Sequence, residues 1–185
     1  SAMIARASRR VGVKKFIQFS TVHIYCSPLA GEITESSVPN NFHPYATSNL
    51  AGEFAVSTEY ASQELSNRLN VLRISNVIAA PVADGINCWS LAANDFCRQV
   101  VQNKGQLSIQ SAPNTSRDFV SFDHLMRVIN HCIRKGNKNR ILNVSSGTTM
   151  TLKELSSLVK SRAKAILNID VSVEGPSLES FSKKG

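Results

Sequence analysis

Apolar and polar positions alternate along the chain with helical and extended spacing in turn, which predicts an α/β fold. The first residues have helical spacing up to about Val11, and Gly12 is a stop signal for that helix. A strand is predicted in VKKFIQFS, whose apolar residues are bounded by a polar loop. The stretch from Thr21 to Pro44 shows little periodicity and is long for a connection, which is typical of a functional loop.

The middle of the chain predicts a helix followed by a buried strand. A helix is expected from about Tyr45 to Asn67, and its apolar stripe is formed by Leu50, Phe54, Ala61 and Leu65. The near-continuous apolar run NVLRISNVIAAP is typical of a strand buried in a parallel sheet, and it ends at Pro81.

The remaining residues continue the alternation. The predicted elements are a helix around Cys88 to Asn103, a strand QLSIQ, a helix with Leu125, Val128, Ile129 and Cys132 on one side, a strand ILNVSS, a helix in TLKELSSLVKSRA and a last strand NIDVSVEG. Thr151 and Glu154 have the spacing of a capping box, which marks the start of the last helix. The terminal SLESFSKKG is predicted to fray.

Composition narrows the class of protein. The chain has 185 residues, of which 42% are hydrophobic and 18% charged, and these values are ordinary for a soluble globular domain. No apolar run approaches the roughly 20 residues that a membrane helix needs, so no membrane partner is expected. The four cysteines and four histidines lack the spacing of metal ligands, and no metal site is predicted. A reducing, cytoplasmic setting is the simplest interpretation.

The net charge of +8 raises the hypothesis of nucleic-acid binding. Aromatic residues are not interleaved with the basic ones, so the stacking platform of a single-strand binder is missing. Solvated helix ends and turns are the favoured explanation of the charge. A small polyanionic ligand such as a diphosphate would also suit a basic protein.

Glycine placement limits what the chain can bind. In an α/β sheet a dinucleotide requires a glycine-rich turn between a first strand and its helix, where the backbone approaches the pyrophosphate. None of the nine glycines forms G-x-G-x-x-G. Either the chain does not bind a dinucleotide, or it is a fragment.

Five separated stretches resemble consecutive motifs of one family. In order, they resemble a strand that leads through Ser/Thr to Val-Tyr-Gly, a loop and helix with Tyr-x-x-x-Lys and Gly-Glu, an Arg-x-x-Asn-x-x-Gly strand, an Arg-Asp-Phe/Tyr segment and an Asn-Val-x-x-Gly turn. The stretches are VGVKKFIQFSTVHIYC, EITESSVPNNFHPYATSNLAGE, LRISNVIAAP, RDFVSFDHL and ILNVSSGTTMTLKEL. Together they are similar to the extended short-chain dehydrogenase/reductase family, the NAD-dependent epimerases and dehydratases of nucleotide sugars.

The resemblance implies an architecture. Residues 1–80 would form the latter half of a Rossmann-like doubly wound parallel sheet. Residues 81–185 would form mainly a small α/β substrate-binding lobe, with some segments returning to the first domain. The glycine-rich half of the family fold is expected to precede Ser1, so the chain would be the C-terminal portion of a longer protein.

The resemblance also implies a function for that longer protein. It would epimerise, dehydrate or reduce a nucleoside-diphosphate sugar with NAD or NADP. These residues alone are expected to be inactive and not to bind the cofactor tightly. A homo-oligomer, or self-association through surface that the missing half should cover, is expected as well.

Three residues lie at the catalytic positions of the family, and two of them match its pattern. Tyr45 matches the tyrosine that takes the proton of the sugar hydroxyl, and Thr21 matches the hydroxyl that binds the same oxygen. Asn49 stands where the family has lysine, one helical turn after Tyr45. Asparagine carries no charge to favour a phenolate, so chemistry through Tyr45 is expected to be weak or absent. The alternative is a non-catalytic relative that binds a sugar nucleotide or another protein.

Other positions match ligand contacts of the family. Ser20, Tyr45 and Asn49 would lie beside the cofactor. Asn76 and Arg117 match positions that hold the diphosphate, for which an arginine fork is well suited. Asn87 is a weaker candidate for the same pocket. Besides Asn49, Cys26 and Ala79 depart from the family pattern, since they replace glycines and would crowd a ligand.

Overall fold

The computed structural model describes residues 1–26, 29, 31–135 and 140–175 and has the α/β fold that the sequence predicts. Its helices are α1 Ala2–Arg10, α2 Pro44–Glu59, α3 Gln63–Ser66, α4 Ala92–Gln102, α5 Phe122–Arg134 and α6 Leu152–Leu167, with a short 3-10 helix at Val22–Ile24. Its strands are β1 Phe16–Thr21, β2 Leu69–Ile74, β3 Asn76–Ile78, β4 Gln106–Ser108, β5 Ser116–Ser121, β6 Ile141–Val144, β7 Thr149–Thr151 and β8 Ser172–Glu174. The predicted fraying of SLESFSKKG concerns residues outside the described part.

The chain divides into two compact units. Unit 1 consists of Ser1–Val77 and Val120–Ser146, and unit 2 consists of Ile78–Phe119 and Gly147–Gly185. Among the described helices of both units, none is long and apolar enough to cross a bilayer.

Unit 1 is built on a parallel sheet in the order β1-β2-β6. Its central strand β2 is buried along almost its whole length, as its apolar sequence predicts. Leu69 and Val71 pack with residues of α1 and α2, whereas Leu72 and Ile74 pack with residues of α5. Because side chains alternate along a strand, the sheet carries helices on both faces.

The apolar side predicted for α5 is confirmed. Its four residues all belong to the cluster that covers the second face of the sheet: Leu125, Val128, Ile129 and Cys132. Burial raises the pKa of the Cys132 thiol, since the charged thiolate is disfavoured away from water.

Unit 2 packs α4 and α6 against short strands. β4 pairs with β8 in parallel, and β5 pairs with β7 in antiparallel orientation. The predicted capping box is confirmed, because the Glu154 amide donates to the Thr151 hydroxyl and the Thr151 amide donates to the Glu154 carboxylate. The core of the unit is formed by Ala93, Phe96, Val100, Leu107, Ile109, Leu152, Leu155, Ala163 and Val171.

Two predictions about the middle of the chain are wrong in detail. The helix predicted to reach Asn67 ends at Glu59, and α3 is a separate short turn. Phe54, which was assigned to the apolar stripe, is 66% exposed. The buried face of α2 instead contains Ala46, Glu53 and Val56, whose spacings of seven and three place them on one side of a helix.

The single long strand predicted in NVLRISNVIAAP is also wrong in detail. The run from residue 70 to 81 forms two strands, β2 and β3, with Ser75 between them. The Ser75 amide still donates to the Val144 carbonyl at 3.0 Å, so the chain leaves the ladder only after this residue. The pairs of β5 with β7 were not predicted, because these strands are short and their partners are distant in sequence.

Candidate active site

Thr21 is the last residue of β1 and the N-cap of the 3-10 helix. Its hydroxyl oxygen accepts the His23 amide at 3.2 Å, and the residue is buried. Val22 and Ile24 of this helix pack in one cluster with Ala46 of α2. The structure therefore brings the segment that follows Thr21 against the first turn of the helix that carries Tyr45.

Tyr45 is the second residue of α2. Pro44 occupies the first turn, where its fixed φ and missing N–H suit a helix start, and the His43 side chain accepts the Tyr45 amide at 3.2 Å. The Tyr45 side chain is 55% exposed, even though Ala46 beside it is buried. Its phenol is accordingly accessible to a ligand.

Asn49 is turned back onto its own helix. Its side-chain amide donates to the Tyr45 carbonyl at 2.8 Å, and the Ser48 hydroxyl donates to the same carbonyl at 3.0 Å. The sequence of α2 contains neither lysine nor arginine. Where the motif resemblance implies a lysine, the structure therefore has a neutral amide that is bonded to the backbone.

Ser20 lies one residue before Thr21 and belongs to a buried polar group. Its hydroxyl donates to the Glu53 carboxylate, which also accepts the Arg73 guanidinium from Nη2 at 2.7 Å and from Nε at 3.0 Å. Only 3% of Glu53 and 4% of Arg73 are exposed. This ion pair joins α2 to β2, and the hydrogen bond from Ser20 joins β1 to the same carboxylate.

Arg73 extends the group across the same face of the sheet, from β2 to β6. Its Nη1 donates to the Tyr25 hydroxyl at 2.7 Å, and that hydroxyl donates to the Asn143 side chain at 2.8 Å. The guanidinium also lies 5.0 Å from the centre of the Tyr25 ring. Burial lowers the pKa of Arg73, but the hydrogen bonds to Glu53 and Tyr25 outweigh it and raise the pKa, so the guanidinium stays charged.

Strand register explains how these residues meet. Ser20 is the register partner of Arg73, and Arg73 is the register partner of Asn143, so the three form one row across the sheet. Partners in a row project to the same face. We call the five residues Ser20, Tyr25, Glu53, Arg73 and Asn143 the Glu53 network.

The Glu53 network was missed by the sequence prediction. One signal could have indicated it: a carboxylate falls on the buried side of a helix and an arginine falls inside an apolar strand. Buried charges require partners, so each of these positions predicts the other. Glu35 in the long loop also contacts the network, because its carboxylate accepts the backbone N–H of Asn143 at 2.7 Å.

In unit 2, Arg117 lies on β5 and lines a cavity of about 220 Å³. The cavity also contains the side chains of Trp89, Asp95, Ser108 and Ser111. In the described part of the chain Arg117 forms no ion pair, whereas Asp95 accepts the Arg98 guanidinium at 2.7 Å. Asp118, the neighbour of Arg117, accepts the Gly147 backbone amide at 3.0 Å.

Neither of the two asparagine candidates lines the Arg117 cavity. Asn87 is exposed and lines a second cavity, of about 330 Å³, which shares Trp89 with the Arg117 cavity. Asn76 is the first residue of β3 in unit 1, where it is half-buried. Among residues 1–26, 29, 31–135 and 140–175, no group of His, Cys, Asp and Glu is placed to hold a metal ion.

Comparison with protein families gives one match over most of the chain. The NAD-dependent epimerase/dehydratase family matches residues 1–145. A comparison with curated proteins finds no match.

Solved structures of similar fold cover nearly all of the chain. UDP-glucuronic acid 4-epimerase from Bacillus cereus, in complex with NAD, has a TM-score of 0.76 at 18% identity, over 94% of this chain and 52% of its own. UDP-glucose 4-epimerase from Thermotoga maritima, with UDP-glucose, has a TM-score of 0.75 at 22% identity, over 95% and 54%. The Bordetella bronchiseptica enzyme WbmG, in complex with NAD and UDP, has a TM-score of 0.68 at 25% identity, over 95% and 52%. The chain thus spans about half the length of these proteins.

Proposed function

Because the chain belongs to the NAD-dependent epimerase/dehydratase family, we propose that it forms the substrate-binding part of an enzyme that epimerises, dehydrates or reduces a nucleoside-diphosphate sugar. Unit 1 would correspond to the latter half of the nucleotide-binding domain, and unit 2 to the substrate lobe. Similar structures that hold UDP-glucose, or NAD and UDP, support a uridine nucleotide as the first ligand to test.

The Arg117 cavity carries the proposal. A guanidinium presents a planar fork of donors that matches phosphate oxygens, and Arg117 has no carboxylate partner among the described residues. The Trp89 ring borders the same cavity and is already covered by Arg98 at 5.2 Å from the ring centre. An aromatic wall beside a phosphate-binding arginine suits a nucleotide, whose base is flat and whose phosphates are anionic.

In unit 1, Thr21 and Tyr45 would act on a sugar hydroxyl. The Thr21 oxygen accepts the His23 amide, so its own hydroxyl proton is available for donation to a sugar oxygen. The exposed Tyr45 side chain, as its phenolate, would accept the proton that the sugar hydroxyl releases and become a neutral phenol. A base in this position is needed, because the carbon cannot be oxidised while its oxygen keeps the proton.

NAD or NADP fits the residues present only at the nicotinamide end. Tyr45 and Asn49 would line that end, but none of the nine glycines forms the turn that would bind the pyrophosphate. When bound, the cofactor supplies the hydride acceptor. We infer that tight cofactor binding requires residues beyond these, and that this chain alone is inactive.

A second candidate, a non-catalytic sugar-nucleotide binder, is favoured by one observation. The Asn49 amide is bonded to the Tyr45 carbonyl and brings no charge toward the phenol. Binding through Arg117 would persist in such a protein, whereas proton transfer through Tyr45 would not. A cytoplasmic location and self-association of the chain remain predictions.

Titration of the chain with UDP, followed by calorimetry, tests the proposal. We expect saturable binding that Arg117→Ala weakens roughly 10- to 100-fold, the effect of losing a charged hydrogen bond. Arg127→Ala is the matched control, because Arg127 is an exposed arginine paired with Asp123 on α5. Absence of UDP binding, or equal weakening by both substitutions, would overturn the proposal.

A further inference from the structure

Glu53 places a carboxylate on the buried face of α2, the helix whose first turn carries Tyr45. The residues buried with it on this helix, Ala46 and Val56, are apolar. A carboxylate in such a position is strongly unfavourable unless donors or cations satisfy it. Glu53 therefore depends on partners from the elements that face α2.

Those partners attach α2 to the end of β1. The Ser20 hydroxyl and the Arg73 guanidinium both donate to Glu53, and these two donors are register partners on neighbouring strands. Ser20 is bonded through the backbone to Thr21. One carboxylate thus connects the helix of Tyr45 with the residue that precedes Thr21.

Arg73 also connects Glu53 to the segment that follows Thr21. That segment runs through the 3-10 helix Val22–Ile24 to Tyr25, whose hydroxyl accepts from Arg73 at 2.7 Å. Tyr25 is 2% exposed and packs in the same cluster as Ala46. Both flanks of Thr21 and the helix of Tyr45 are consequently fixed to a single charged pair.

We propose that Glu53 and Arg73 are positioning residues, which set where Tyr45 lies relative to Thr21 without touching a ligand themselves. The inference rests on the proposed roles of Thr21 and Tyr45 on a sugar hydroxyl. Misplacement of about 1 Å between reacting groups can cost on the order of 100-fold in rate, so a rigid link between these two residues has functional value. A mobile surface contact could not provide it.

A purely structural role makes a different prediction. Removal of one member of a buried ion pair is strongly destabilising, whereas replacement of both by apolar residues of similar volume is often neutral or stabilising. An apolar pair would restore stability but could not bond Ser20 or Tyr25. The effect of the pair on the stability of the fold can therefore be measured separately from its effect on the positions of Thr21 and Tyr45.

The experiment compares three variants of the chain. Glu53→Gln leaves Arg73 without its anion, the double variant Glu53→Leu with Arg73→Met makes the pair apolar, and Glu59→Gln is the control. Glu59 lies on the same helix but pairs with Arg6 at the surface. Thermal unfolding reports stability, and NMR chemical shifts of the Thr21 amide and the Tyr45 ring report position.

We expect Glu53→Gln to lower Tm and the double variant to return Tm to within about 5 °C of wild type. In both variants the Thr21 and Tyr45 signals should stay displaced from their wild-type positions by more than a linewidth, and in Glu59→Gln they should not. If Glu53→Gln does not fold, the double variant carries the test. Wild-type signals in the folded double variant would overturn the inference.

The UDP titration separates this inference from the proposed function. The Arg117 cavity contains no residue of the Glu53 network. The folded double variant should therefore bind UDP within about 2-fold of wild type, since sites without shared partners act independently. Absence of UDP binding by the wild-type chain would contradict the proposed function. The NMR signals of Thr21 and Tyr45 would still decide the positioning role.

Discussion

The Asn49 side chain donates its amide hydrogen to the Tyr45 carbonyl, 2.8 Å away, at the start of α2. The bond joins residues one turn apart and directs the Asn49 amide toward the backbone of its own helix. The phenol of Tyr45 is left exposed to solvent and ligand without a cation on its own helix. The lysine that the motif resemblance implies here would combine a place in the helix with a charge, and Asn49 keeps only the first.

Asn49→Lys should restore the charge. An ammonium one turn from Tyr45 favours the phenolate, and we expect about 3- to 10-fold more phenolate at a pH near 8.5. The measurement is tyrosinate absorbance, with the signal of Tyr45 obtained by subtraction of the Tyr45→Phe background. Thr58→Lys, an exposed position at the far end of α2, adds the same charge at a distance. Equal absorbance in the two lysine variants would contradict the argument.

Two buried tyrosines should respond in opposite ways to loss of the hydroxyl. Tyr25→Phe removes the acceptor of Arg73 and the donor to Asn143, so unfolding should become easier by about 1–3 kcal/mol. The Tyr60 hydroxyl is buried without a partner among the described residues, and burial raises its pKa. Tyr60→Phe should be neutral or stabilising by up to about 1 kcal/mol.

Chemical denaturation of both phenylalanine variants provides the measurement. Each substitution removes one oxygen from a fully packed ring, so the apolar contacts are matched. A large loss of stability in Tyr60→Phe would show that its hydroxyl has a partner after all.

Gly105 should tolerate no side chain. It has φ +92°, and a Cβ added there would overlap the backbone carbonyl of Asp170 next to the pairing of β4 with β8. We expect Gly105→Ala to lower the free energy of unfolding by roughly 3 kcal/mol or more. Gly12 has a similar φ of +76° but open space around it, so Gly12→Ala should cost only about 1–2 kcal/mol. Equal losses in denaturant titrations would refute the overlap.

Acid should weaken the start of α6. The Thr151 backbone amide and hydroxyl both donate to Glu154 and hold the pKa of its carboxylate below the usual value. A depressed pKa in the folded state stabilises the fold above the unfolded pKa, and that contribution is lost as the pH falls through the folded pKa. The expected window therefore begins near the usual glutamate pKa of about 4.3 and extends below it.

Glu154→Gln keeps the geometry of the capping box without a titrating group. The fall in Tm between pH 7 and about pH 3.5 should be smaller in this variant than in wild type. Glu174→Gln, an exposed substitution elsewhere in unit 2, is the control. The same fall in Tm for all three proteins would count against the assignment.

Local signals in the sequence predicted local structure well. The capping box at Thr151, the stop at Gly12 and the apolar run of β2 each depend on residues a few positions apart, and the structure confirms all three. The end of α2 was placed too late, because Ala61 and Leu65 continue the helical spacing after the chain has turned at Tyr60.

Non-local features of the candidate site could be predicted only in part. The roles that motif resemblance implies for Thr21, Tyr45 and Arg117 stay predictions, and nothing in the sequence specified the direction of the Asn49 amide. Glu53 and Arg73 are separated by 20 positions, and their pairing depends on how α2 packs on the sheet. Such a contact becomes visible only when the buried side of the helix is known.

The row of Ser20, Arg73 and Asn143 also has a consequence for how the chain folds. A slip of one residue between β1 and β2 would set Leu72 or Ile74 beside Ser20 and turn Arg73 to the opposite face. Glu53 would then be enclosed without its counter-ion, so misaligned sheets are disfavoured electrically as well as by packing. The Glu53 network thus favours the native register of β1 and β2.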